Sequence, residues 1–289
     1  MFPEKAIPEG LKLGANCRLA GEDVSEGEII AEAGQKLRPQ DIAAIASTGT
    51  NEISVYKPIE IAILSSGNEI LRPGEPFENG KVYDSNFFML QNLLSSIGCN
   101  ITDLGVIPDD PETISNLLSS TAKTHDVIIS TGGASKGEED HFIDTLEKIG
   151  KRHMWQLAVK PGRPVCFGQI EDTLCFTLPG NPVAAFVCFL LYVRPSLLTL
   201  GGANWREPSR YYMPVGFTIR SKPDRREFLR GYTVTKDQTT MVQKFDRDGS
   251  GLISGLRASS GLIEIPEDQT EINKSDLVAF IPYSEFSIT

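Results

Sequence analysis

Asp126-Val127-Ile128-Ile129-Ser130 runs directly into Thr131-Gly132-Gly133-Ala134-Ser135, an apolar strand followed at once by a small, polar, glycine-bearing turn. The same build occurs twice more. Ile59–Leu64 leads into Ser65-Ser66-Gly67-Asn68-Glu69, and Thr173–Leu178 into Pro179-Gly180-Asn181-Pro182. In an α/β sheet such turns bind phosphates. Glycine lets backbone N–H groups approach an oxyanion, and the helix that follows adds unpaired donors and the positive end of its dipole. Three of them predict a large anionic ligand at the carboxyl edge of one sheet.

Around these turns, residues 58–203 alternate strands with helical patterns, the signature of a parallel sheet covered on both faces. The strands read as Glu60–Leu64, Asn100–Val106, Asp126–Ser130, Pro164–Phe167 and Leu174–Leu178. Between them, Ser85 is placed to cap a helix Phe87–Ile97, and Asp110 to cap one with Pro111 in its first turn. Phe142, Ile143, Leu146 and Ile149 form a single apolar stripe. Val183–Val193 is apolar throughout but too short to span a bilayer before Arg194 and Pro195, so it reads as a buried core helix. Residues 1–57, punctuated by glycine, read as a small β unit with a short helix Pro39–Ser47, capped by Gly49, and a strand Glu52–Tyr56. Residues 204–289, with turn signals and alternating runs, read as a small all-β domain.

Composition narrows the function. The 289 residues are 40% hydrophobic and 23% charged, a globular composition with room for two or three cores. The formal charge of −10 argues against nucleic acid or an anionic membrane as partner. The acidic excess lies in residues 1–203, because residues 204–289 carry 12 Lys/Arg and 12 Asp/Glu. Five cysteines (Cys17, Cys99, Cys166, Cys175, Cys188) fall at no metal-type spacing, several inside apolar runs, and read as reduced core thiols of a cytoplasmic protein.

Chain order brings three carboxylates to the carboxyl edge of the sheet: Glu69 after the first strand, Asp109 after the second, and Asp140 after the Gly132-Gly133 turn. Such a set suits Mg²⁺, which takes oxygen ligands while bridging to phosphate. Taken singly, Asp109 also fits turn chemistry and Asp140 a helix dipole. Lys160-Pro161-Gly162-Arg163 sets a point charge and a planar fork on a rigid turn, a pair suited to a tetrahedral oxyanion, although a solvated loop reads the same way. Arg220, Lys222, Arg225, Arg226 and Arg230 read as a charged face of the β domain.

These residues together resemble a family. Gly21-Glu22-Asp23-Val24, Ser66-Gly67-Asn68-Glu69, Tyr83-Asp84-Ser85-Asn86, Pro108-Asp109-Asp110-Pro111, Ser130 through Ser135 with Gly137-Glu138-Glu139-Asp140, Lys160-Pro161-Gly162-Arg163-Pro164 and Leu178-Pro179-Gly180-Asn181-Pro182-Val183 occur in the order seen in the molybdopterin molybdenumtransferases, the MoeA family, which includes the gephyrin E domain. The resemblance implies a three-layer α/β/α molybdopterin-binding domain (58–203) between a small N-terminal β-rich remnant (1–57) and a C-terminal β-barrel-like domain (204–289). It implies a cytoplasmic enzyme that inserts molybdate into adenylylated molybdopterin and releases AMP with Mg²⁺. A non-catalytic molybdopterin-binding or scaffold module and a nucleotide-pterin hydrolase are the alternatives.

By matching motif, the resemblance implies Glu69, Asp109, Asp140 and Lys160 as catalytic residues, the three carboxylates also holding the metal. It implies Gly67, Thr131, Gly132, Gly133, Ser135, Arg163, Pro179, Gly180, Asn181, Arg230 and Ser250 as ligand-binding residues. A homodimer and a molybdopterin adenylyltransferase partner are implied as well. The chain departs from the family at Gln156, where a second lysine is common, and at its N-terminus, where members carry an Asp-Gly-Tyr-Ala segment and an inserted domain. The chain therefore reads as a fragment, expected to fold but to associate weakly.

Overall fold

The computed structural model describes residues 10, 12–133 and 141–288. They divide into two compact units, Met1–Val55 and Tyr56–Thr289.

The first unit holds the helix Pro39–Ser47 and a series of tight turns. The helix starts as a reciprocal cap in which the Arg38 N–H and guanidinium both donate to Asp41, and it ends where Gly49, at φ +84°, donates to the Ala46 carbonyl. The β character expected of 1–57 is not found: among the described residues of this unit there is no strand, and Glu52–Tyr56 is irregular. The glycines account for this. Gly14, Gly21, Gly27 and Gly34 all lie at positive φ, and the i→i+3 hydrogen bonds nearby close turns so closely spaced that the segments between them are too short to pair as a ladder.

The second unit is built on a six-stranded sheet ordered Asn100–Ile107, Glu60–Ser66, Val127–Thr131, Thr173–Leu178, Cys166–Ile170, Lys151–Trp155. The first four strands are parallel. Cys166–Ile170, expected to be parallel, is antiparallel to its neighbours, and Lys151–Trp155 was not anticipated. Only Glu171-Asp172 separates Cys166–Ile170 from Thr173–Leu178, and two residues can close a hairpin but cannot cross over a sheet.

Helices cover both faces. On one side Phe87, Leu90 and Leu94 of Asn86–Ser95 pack with Val183, Phe186, Phe189 and Val193 against Ile61, Ile63, Val127 and Ile129. On the other side Ile114 and Leu118 of Pro111–Thr121, with Phe142, Ile143 and Leu146 of His141–Ile149, cover Ala62, Leu64 and Ile128. The three-layer α/β/α order expected from the sequence is thus present. The apolar helix does not stop before Arg194-Pro195: Pro182–Cys188, a π-helical stretch Phe189–Val193 and Arg194–Leu200 run on without a break. A wider π turn is a known way to accommodate a local disruption of the i→i−4 ladder. The helix is long and apolar enough to cross a membrane, but its buried positions are occupied by the protein core. Within the sheet and helices, burial pushes the Cys166 thiol up to about 11 and those of Cys175 and Cys188 to about 12, whereas Cys17, expected in the core, is exposed among the tight turns of the first unit.

Residues beyond 204 form the expected β structure, with strands Tyr211–Pro214, Leu277–Pro282, Gly261–Ile265, Arg226–Lys236 and Thr239–Lys244 adjacent in that order. A bridge from Val215 to Val242 brings the two ends of this sheet together as a barrel. Val215, Val242, Ile263, Ile265, Val278 and Phe280 fill it. The barrel is not a separate core, because Phe228, Leu262, Ile281, Tyr283 and Phe286 bury their side chains in the same cluster as the six-stranded sheet.

Candidate functional site

Strand register puts the three predicted turns side by side. Ser65 pairs with Thr131, and Thr131 with Leu178, so all three loops leave the sheet from a single row at its carboxyl edge. They pack on one another tightly. A Cβ on Gly132, at φ +86°, would lie 2.2 Å from the Ser66 carbonyl oxygen, and the Gly132 N–H donates to the Leu178 carbonyl at 3.1 Å. Glycine is therefore demanded here both by φ and by the approach of a neighbouring backbone. Polar side chains continue the contact: the Thr131 hydroxyl donates to Ser65 Oγ at 3.2 Å and Ser65 Oγ to Asp84 Oδ2 at 2.6 Å. Asn86 Nδ2 donates to the Gly180 carbonyl at 2.7 Å, and Ser66 Oγ to Asp109 Oδ1 at 2.5 Å.

Beside these loops lies a cavity of ≈ 810 Å³ lined by Lys160, Arg163, Asn181, Arg230, Ser250 and Pro179, among others. Two links hold its walls together. Val159–Lys160 pairs as a parallel strand with Arg226–Glu227 of the barrel, and the Val183 N–H, in the first turn of the apolar helix, donates to the Ser250 carbonyl at 2.9 Å. The Lys-Pro-Gly-Arg turn is seated on that helix: at Gly162, φ +115°, a Cβ would stand 2.2 Å from Cys188 Sγ. Arg230 is buried and donates to the Leu252 carbonyl at 3.1 Å and the Arg247 carbonyl at 2.9 Å; burial holds its pKa below the ordinary value.

Glu227, 1% exposed, receives Lys160 at 3.1 Å and both Arg225 Nε and Nη2, at 3.0 and 2.6 Å. Burial works to raise this carboxyl, but the bonds from Arg225 and Lys160 prevail and hold it below its usual range. The basic cluster read as a charged face is thus partly internal. Lys222, Arg225 and Arg230 line the cavity, Arg226 is committed to Glu264 and Glu267, and Arg220 remains exposed beside Glu271.

The structure divides the predicted residues into two adjoining groups. Gly67, Thr131, Gly132, Gly133 and Gly180 belong to the loop row, with Glu69 and Asp109 just beyond it; Lys160, Arg163, Pro179, Asn181, Arg230 and Ser250 belong to the cavity. The Pro179–Asn181 loop is common to both. Ser135 and Asp140 lie outside the described residues. Among the described residues no three His, Cys, Asp or Glu side chains gather as a metal site, so Glu69 and Asp109 do not make one by themselves. The sequence reading missed Glu227 and Lys244 as parts of the site, took Lys222 and Arg225 for a charged face, and gave Asp84 and Asn86 no task; Asp84, rather than Ser85, accepts from the Phe87 N–H at the helix start. Gln156 lines the cavity and accepts from Arg163 Nη2 at 3.3 Å.

Comparison with known proteins finds three family models along the chain. Residues 62–199 match the probable molybdopterin binding domain, 212–283 the MoeA C-terminal region (domain IV), and 3–49 the MoeA N-terminal region (domain I and II). The molybdopterin molybdenumtransferase of Haemophilus influenzae is 32% identical over 275 residues, covering 94% of this chain and 68% of the relative. The chain belongs to the molybdopterin molybdenumtransferase family. Gephyrin of Dictyostelium discoideum is 33% identical over 219 residues, 66% of this chain and 30% of gephyrin. Two molybdopterin biosynthesis MoeA structures from Pyrococcus horikoshii superpose with TM-scores of 0.78 and 0.75 at 26% and 29% identity, each covering 91% of this chain and 64% of the solved one. The chain spans about two thirds of the length of the Haemophilus influenzae relative and of the two Pyrococcus horikoshii structures.

Proposed function

We propose that this chain inserts molybdate into adenylylated molybdopterin with release of AMP. One observation carries the reading: in a chain of net charge −10, a single cavity beside three phosphate-type loops is lined by Lys160, Arg163, Lys222, Arg225, Arg230 and Lys244. Arg225 and Lys160 share Glu227, and Lys244 stands 3.9 Å from Asp248, which with Asp224 also lines the cavity, whereas Arg230 donates only to carbonyls and Arg163 to Gln156 among the bonds described. Positive charge is therefore left for an anionic ligand. In this reading Lys160, Arg230 and Ser250 hold the oxyanion, and Gly67, Thr131, Gly132, Gly133 and Gly180 admit the pterin and its phosphates to the loop row.

Glu69 and Asp109 supply carboxylates near those phosphates, and the family resemblance adds Asp140 to them and Ser135 to the loop row. Mg²⁺ dependence belongs to the same proposal through oxygen donors of this kind, as do a homodimer and a molybdopterin adenylyltransferase partner. The test is AMP release from adenylylated molybdopterin with Mg²⁺, with and without molybdate, alongside light scattering across concentration for the dimer. Molybdate-dependent release is expected. Release that ignores molybdate would make the protein a hydrolase, and binding without release a module.

A further inference from the structure

The turn Asp84-Ser85-Asn86 has no part in that chemistry, yet its buried side chains reach all three loops. Asp84 accepts from Ser65, which accepts from Thr131, so one carboxylate holds the first loop and, through it, the second. Asn86 donates to the Gly180 carbonyl and holds the third. The turn is itself anchored. Asp84 Oδ1 receives the Phe87 N–H at 3.0 Å, the Asp84 N–H donates to Leu71, and Arg72 stands 3.5 Å from Asp84 Oδ2 with its guanidinium 4.2 Å from the centre of the Phe87 ring. Both Asp84 and Asn86 are more than nine-tenths buried, where hydrogen bonds are strengthened by the low dielectric.

Glycine loops have the most backbone freedom to lose, and a ligand that needs their N–H groups aimed together bears that ordering on binding unless the protein has done it already. We propose that Asp84 and Asn86 are positioning residues that lock the three glycine loops into one geometry before the ligand arrives. The mechanical part stands on the bonds above; its consequence for molybdopterin rests on the function proposed.

Asn86→Asp separates this role from helix capping. The substituted side chain would keep its size and suit the helix N-terminus, but it would lose the donor and set a carboxylate against the Gly180 carbonyl. Amide hydrogen exchange on the full chain is the measurement. In Asn86→Asp the Gly132 and Val183 amides, which bond to Leu178 and Ser250, should exchange about tenfold faster, the equivalent of one net hydrogen bond, while Leu90–Leu94 keep their protection. Ser65→Ala should speed Gly132 and leave Val183 unchanged. Molybdopterin affinity, by calorimetry, should fall by a similar factor in Asn86→Asp. Unchanged exchange at both amides, or equal loosening of Leu90–Leu94, overturns the proposal. The expected exchange pattern in a protein that binds no molybdopterin would uphold the positioning role and reject the ligand.

Discussion

Gly132→Ala tests the loop row most directly, because the structure sets the penalty from two independent sources. At φ +86° an alanine carries left-handed strain of about 1–2 kcal/mol. Its Cβ would also stand 2.2 Å from the Ser66 carbonyl oxygen and 3.2 Å from the Ser66 carbonyl carbon, backbone atoms that cannot swing aside, which adds an overpacking cost of about 1–3 kcal/mol. Together these give about 2–5 kcal/mol, a fall in Tm of roughly 10 °C for a protein of this size. Gly180→Ala is the matched control. Gly180 does not lie at positive φ, and a Cβ there meets nothing closer than Gly132 Cα at 4.0 Å, so the change should stay within about 0.5 kcal/mol. Calorimetric melting of both variants decides the matter. Equal Tm values for the two, or a shift under about 2 °C in Gly132→Ala, would refute the close approach of these loops.

Two further changes probe the cavity. Glu227 is held below the usual carboxylate range in the fold, so its stabilisation is present above its ordinary value of 4.5 and is lost as the pH falls toward the lowered one. Glu227→Gln should therefore be less stable than the parent at neutral pH, with the gap closing below about pH 4 in urea melts; a gap independent of pH would remove Glu227 as the counter-ion of Lys160 and Arg225. Arg230→Lys keeps the charge but replaces a planar fork, whose two nitrogens each reach one carbonyl, with a single nitrogen, so the fold should lose about 1–3 kcal/mol in denaturant titration and molybdate-dependent AMP release should fall; wild-type values for both would place Arg230 outside the site.

The sequence by itself determined the strand-turn units and most of the helices, although the first turn, residues 65–69, leads into the short strand Ile70–Leu71 and not into the expected helix, the next helix starting at Asn86. Apolar runs such as Asp126–Ser130 ending in glycine, the Asp110-Pro111 helix start, whose Asp110 carboxylate accepts from the Thr113 N–H at 2.7 Å, and the stripe of Phe142, Ile143 and Leu146 are local signals. They depend on backbone sterics and periodicity alone. The short glycine-punctuated segments of 1–57 were misread as strands because a strand is defined by its partner, and no local pattern supplies one.

Tertiary structure alone decided how the units meet. Lys160 and Arg230 lie 70 positions apart in the sequence. They share a cavity because Val159–Lys160 joins the barrel as a strand and because Phe228, Leu262 and Ile281 are buried with the sheet. Glu227 in the same way becomes the counter-ion of Lys160 and Arg225 only when folding removes it from water. Charge in a sequence has sign and spacing, but its burial and its partners belong to the packed chain, where low dielectric and fixed distance turn a row of basic residues into an anion site.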